Sequence, residues 1–164
     1  MRNQKKYIFY VIILMCIAVT LFTSYYIHRG LHSHWYVRLY VSKLMPSNNN
    51  FVFLWIISLC LSSCSYLIIN EEKQNILFEL GETLYITLLF LCLIWPLGFF
   101  FLKSAVIGIL ILSLLLLTTF ITSAVFFKIS NSTLILMSGY IVILTFIFHT
   151  NLYIVLRTFN VIIR

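Results

Sequence analysis

Five stretches of this chain are long and apolar enough to cross a bilayer, and that limits the fold more than any other feature. Residues 7–27 carry no charge; as a helix rising 1.5 Å per residue they reach about 31 Å, against a hydrocarbon core of about 30 Å. Comparable runs lie at 51–69, 80–102, 104–127 and 133–156. Inside lipid the backbone finds no water, so each run must satisfy its own N–H and C=O groups as a helix. The expectation is an all-α integral membrane bundle of five helices, one domain over residues 1–164, with the bilayer as its solvent and its termini on opposite sides. Arg2, Lys5 and Lys6 before the first run also suit a signal peptide, but the run is long for one and no A-x-A-like site follows, which favours a retained helix.

Composition agrees: 62% of the 164 residues are hydrophobic and 9% charged, and the mean hydropathy is +1.06, beyond what a water-soluble core hides. The net charge of +7 comes from Lys and Arg scattered at run ends and loops. Without a basic stripe, nucleic acid is excluded as a partner and headgroup anchoring is the reading. Counting loop cations does not choose an orientation: five flank one side (2, 5, 6, 73, 128) and six the other (29, 38, 43, 103, 157, 164). Cys16, Cys60, Cys64 and Cys92 all lie in apolar runs without metal-type spacing and read as small core residues.

The longest connection, residues 28–50, ends in Pro46-Ser47-Asn48-Asn49-Asn50 and holds Trp35, Tyr36 and Tyr40. Amphipathic aromatics beside a helix breaker suit a short interfacial segment. Three further sets of residues share helix faces: Phe51, Trp55 and Leu59; Cys92, Trp95 and Phe99; Tyr140, Ile143, Ile147 and Asn151. Turned inward, these faces would line an apolar, aromatic cavity capped by Trp35 and Tyr36, suited to a flat hydrophobic ligand. The plain alternative is aromatic packing or lipid-facing surface.

Trp35-Tyr36-x-x-Leu39, then Pro46, Phe51 and Trp55, resembles without a gap the pattern WYxxLxKPxWxPPxxxFxxxW of the TspO/MBR family, the tryptophan-rich sensory or translocator proteins. Trp95-Pro96-Leu97-Gly98-Phe99-Phe100 is similar to that family's LNxxWxxxFF, and Gly139-Tyr140 with Asn151 to its PYxxWxxxAxYLN. The departures are Val41-Ser42 for KP, Ser47 for the second proline of PP, Cys92 for the asparagine, Ile143 for the tryptophan and Ile147 for the alanine. The resemblance implies binding, transport or sensing of a planar hydrophobic small molecule such as a porphyrin, haem or sterol, with no cofactor required. It implies that Tyr36, Trp55, Trp95 and Phe99 stack on the ligand, that Trp35 and Pro46 shape a lid, and that Tyr140 and Asn151 offer hydrogen bonds. It also implies a homodimer, for which no GxxxG is present. Two other classes stay open: a structural or accessory subunit that kept the fold, and the porphyrin-degrading enzyme proposed for some of the family.

Two polar constellations stand apart. His28, His32 and His34 form HxxxHxH near the interface, where they read as solvated histidines or, less simply, as ligands for a metal or haem. Glu79 and Glu82 open the third run, where a carboxylate favours a helix N-terminus; the alternative is a proton relay. No nucleophile and base pair or carboxylate pair suggests catalysis.

Overall fold

The computed structural model describes the backbone of residues 2–39, 45–72 and 74–162, with side chains from 10 to 158 within those bounds. Tyr40, Lys43, Lys73 and Arg164 lie outside the described residues. The elements are α1 (Arg2–Leu31), the short α2 (His34–Val37), α3 (Asn48–Glu71), α4 (Phe78–Pro96) continued by a π-helical turn (Leu97–Phe101), α5 (Ala105–Ile129) and α6 (Thr133–Ile162). Five of these helices are long and apolar enough to span a membrane, and α2 is the short interfacial segment between the first two.

Local chemistry sets the boundaries. The Ser33 hydroxyl donates to the Gly30 carbonyl at 2.6 Å and accepts from the Tyr36 backbone N–H at 3.3 Å, ending α1 and capping α2. Asn75 Oδ1 accepts from the Leu77 N–H at 2.9 Å just before α4. Lys103 adopts φ 51°, the left-handed conformation that reverses the chain into α5, and the Ser104 hydroxyl caps α5 by accepting from the Ile107 N–H at 3.3 Å.

The helices close a ring in the order α1, α3, α6, α5, α4, each packed on two neighbours. Their buried rows follow alternating steps of four and three: Phe51, Trp55, Ser58, Ser62, Ser65 and Ile69 on α3; Gly108, Leu112, Leu115, Thr119, Thr122 and Phe126 on α5. Such a repeat keeps one seam facing its neighbour. Lipid is as apolar as leucine, so close approach of small residues is what favours these seams. The hydroxyls there are satisfied within their own helix, as in Ser58 to the Trp55 carbonyl at 2.7 Å and Thr119 to the Leu115 carbonyl at 2.7 Å.

Five crossings give the molecule two distinct ends. One end holds α2, the N-terminus of α3, the π turn, the start of α5 and the C-terminal part of α6. The opposite end holds the start of α1 and the α3–α4 and α5–α6 turns.

Candidate functional site

The site lies beneath α2, and the π turn builds it. Pro96 brings no N–H donor to the helix, and the next bonds step from i→i+4 to i→i+5, with the Leu102 N–H reaching the Leu97 carbonyl at 3.0 Å. This local underwinding buries Phe99 and Phe100 together, although adjacent residues on an ordinary helix diverge by about 100°. Glycines make the room: a Cβ at Gly30 of α1 would meet the Phe100 ring, and one at Gly108 of α5 would meet the Phe99 ring.

Around this turn the aromatics form a continuous wall. Trp55 of α3 stacks on Trp95 of α4 with ring centroids 4.8 Å apart at 30°, and Trp95 stacks on Phe99 at 6.0 Å. Phe51 approaches Trp95 at 6.4 Å. From α2, Trp35 meets Phe99 edge-on at 5.4 Å, while Tyr36 touches Phe99 at 6.3 Å and Phe100 at 5.8 Å. These contacts hold α2 over the wall. The void left beneath it is about 10 Å³, walled in part by Tyr36, Met45, Phe51, Trp95, Phe100 and Asn151, room for about one water. The expected cavity is therefore filled by its own side chains.

Among the described residues four buried side-chain polar atoms have no hydrogen-bond partner, and three belong to residues on this void: Tyr36 Oη, Trp95 Nε1 and Asn151 Oδ1. The fourth, Ser24 Oγ, is on α1. Burial pushes the Tyr36 hydroxyl up to about 12, so it stays protonated and able to donate. Asn151 turns its amide nitrogen back to the Ile147 carbonyl at 3.1 Å, leaving its oxygen as an unused acceptor.

The other sequence-derived positions fall around this centre. Trp55 is fully buried, but its indole N–H donates to Thr23 Oγ1 of α1 at 2.9 Å, so its polar edge is committed to packing. Tyr140 hydroxyl and Cys92 thiol pair at 3.4 Å, which uses Tyr140 inside the bundle. Leu59 and Ile147 are buried in the core and Ile143 is half-buried against it; none borders the void. The fully buried row of α6 passes through Leu144 where Ile143 was the expected member. Pro46 is half-buried beside Met45, and Met45 is the residue that lines the void. Thr23, Met45 and Thr150 escaped the sequence reading; only Thr150, adjacent to Asn151, had a local signal.

The remaining constellations lie elsewhere. His28 and His32 are exposed with rings 4.7 Å apart, and among the described residues no group of three His, Cys or acidic side chains is placed to share a metal ion. Glu82, at the opposite end, accepts from the Tyr66 hydroxyl at 2.9 Å. Cys16 and Cys92 are buried as core residues, whereas Cys60 and Cys64 are exposed. They line a groove of about 350 Å³ between α1 and α3, because in lipid an apolar side chain suits either face.

The five apolar runs form a five-helix membrane bundle that carries the tryptophan-bearing motifs, and the model of the TspO/MBR family matches residues 11–157. The chain belongs to the TspO/MBR family. No curated protein matches it. Family membership makes it a multi-pass integral membrane protein of a group known for ligand binding or sensing. Within that TspO/MBR frame its own variations, Ile143, Ile147 and Cys92, are all accommodated by packing: the first half-buried, the second fully buried, the third paired with Tyr140.

Proposed function

We propose that this TspO/MBR protein binds a flat hydrophobic molecule with polar edges, of porphyrin, haem or sterol type, against the aromatic wall beneath α2, and serves as its membrane receptor or carrier. The observation that carries the reading is the gathering of Tyr36 Oη, Trp95 Nε1 and Asn151 Oδ1, all buried and unpartnered, on one void. An unmade buried hydrogen bond costs about 1–3 kcal/mol. Three at one place, facing aromatic surface, suit a partner that arrives from outside the chain. Two donors and an acceptor would hold the edges of such a molecule while Trp95 and Phe99 stack on its face.

A void of about 10 Å³ does not admit a ligand of that size, so entry requires α2 to lift from Phe99 and Phe100. The near-complete filling favours one second reading, a structural or accessory subunit that no longer binds. All three tryptophans of the chain, Trp35, Trp55 and Trp95, belong to the wall or its lid. Titrating the purified protein with porphyrin, haem and a sterol should therefore quench most of its tryptophan emission saturably. No saturable quenching by any of the three would leave the subunit reading in front, and consumption of porphyrin with a new product would point instead to degradation.

A further inference from the structure

The two ends of the bundle carry opposite electrostatic designs. At the α2 end Arg29, Arg38, Lys103 and Arg157 are all exposed, and among the described residues no Asp or Glu accompanies them. All four acidic residues of the chain, Glu71, Glu72, Glu79 and Glu82, lie at the opposite end on α3, α4 or the turn between them. Among the described side chains they share that end with the cation Lys128. Helix C-termini favour cations, which accounts in part for Arg29 on α1. Arg38 is the C-cap of α2 and Lys103 directly follows the C-cap of the π turn that ends α4, so both also sit at helix C-termini; what sets this end apart is that these termini gather there with no Asp or Glu beside them.

Two of these groups are held in the same way on separate helices. The Arg29 guanidinium donates to the Tyr25 hydroxyl four residues earlier at 3.3 Å. Arg157 Nε donates to the Tyr153 hydroxyl four residues earlier at 3.2 Å, with the guanidinium 5.5 Å from the centre of the same ring. Each bond uses one of five N–H donors and orients the rest of a fork that matches phosphate oxygens. A tyrosine at the level of the headgroups beside an arginine is the chemistry of the membrane interface.

We infer that the α2 end is a docking surface for anionic phospholipid headgroups, anchored by Arg29 and Arg157, so that the lid over the aromatic site sits in an anionic leaflet. Each cation at such a surface raises affinity about fivefold, and the pair together about twenty-five-fold. The inference concerns the outer rim and stands whether or not the aromatic site binds a ligand.

The test is competitive lipid retention, read by native mass spectrometry of the full chain in mild detergent with equal amounts of phosphatidylglycerol and phosphatidylcholine. The wild-type protein should retain the anionic lipid at least about tenfold over the zwitterionic one. Arg29→Gln with Arg157→Gln should lose most of that preference, Arg29→Lys with Arg157→Lys should keep part of it, and Lys5→Gln with Lys128→Gln should leave it intact. Thermal melting of each variant separates lost binding from lost fold. Equal retention of the two lipids by the wild type would overturn the inference, as would an equal loss in the Lys5 and Lys128 pair. Displacement of the lipid by millimolar inorganic phosphate would assign the rim to a free anion instead.

Discussion

The bundle contains two polar-aromatic clusters, one near each end, and they are resolved in opposite ways. Toward the α3–α4 turn, Tyr66 and Tyr85 stack at 4.7 Å with rings 7° from parallel. Every polar group there has a partner: Tyr66 donates to Glu82 at 2.9 Å, Tyr85 donates to Ser63 at 3.0 Å, and Cys16 lies 3.2 Å from the Tyr85 hydroxyl. Beneath α2 the stacked pair is Trp55 and Trp95, and three polar atoms on the adjoining void go without. The same side-chain chemistry is thus hydrogen-bonded at one end and leaves buried polar atoms without partners at the other. A fully satisfied network rigidifies, whereas an unsatisfied one persists only where something outside the packing favours it.

The contrast breaks most sharply at residues that serve both packing and the wall. Trp55→Ala removes a fully buried indole and its bond to Thr23, so thermal or denaturant unfolding in detergent should show a loss of about 3–5 kcal/mol. Ligand binding should fall with it, because the partner ring of Trp95 is lost. Next in size is Gly108→Ala, whose methyl would press on Phe99. Overpacking of this kind costs about 1–3 kcal/mol and should reduce quenching by displacing the wall. At the satisfied end, Tyr85→Phe keeps the ring and drops its hydrogen bonds to Ser63 and Cys16. It should destabilise by about 0.5–1.5 kcal/mol and leave porphyrin titration unchanged. Ile143→Trp is the mildest: the position is half-buried and off the void, so affinity should stay within about twofold, a change below about 0.5 kcal/mol.

What could be read in advance follows from the solvent. Span number, helix class and the aromatic members Trp35, Tyr36, Phe51, Trp55, Trp95 and Phe99 were legible because length, charge and motif spacing encode them locally. Which face of each span turns inward was harder, since in lipid the outward face is apolar too. Cys60 and Cys64 lie in an apolar run that reads as core, yet they are exposed, and helical spacing from Tyr140 points to Ile143 where Leu144 is the fully buried residue. The joint inward turn of Phe99 and Phe100 was hidden because it depends on a π turn, signalled only by Pro96 and Gly98. The bond between Trp55 and Thr23 joins residues 32 apart in sequence, and no periodicity reports such a pair.

The central claim is that the unpartnered atoms beneath α2 are there for a ligand and not for the fold. Trp95→Phe keeps an aromatic ring while deleting the idle N–H, and Asn151→Leu keeps side-chain bulk while deleting the idle oxygen. Trp95→Phe also gives up part of a fully buried ring and Asn151→Leu the amide bond to the Ile147 carbonyl, losses that removing an unpartnered buried polar group offsets, so the melting temperature of the ligand-free protein should change little. Porphyrin affinity, read by tryptophan quenching, should fall about tenfold in each, a change of about 1.4 kcal/mol. A drop in melting temperature with affinity unchanged would contradict the account and assign these atoms to the fold.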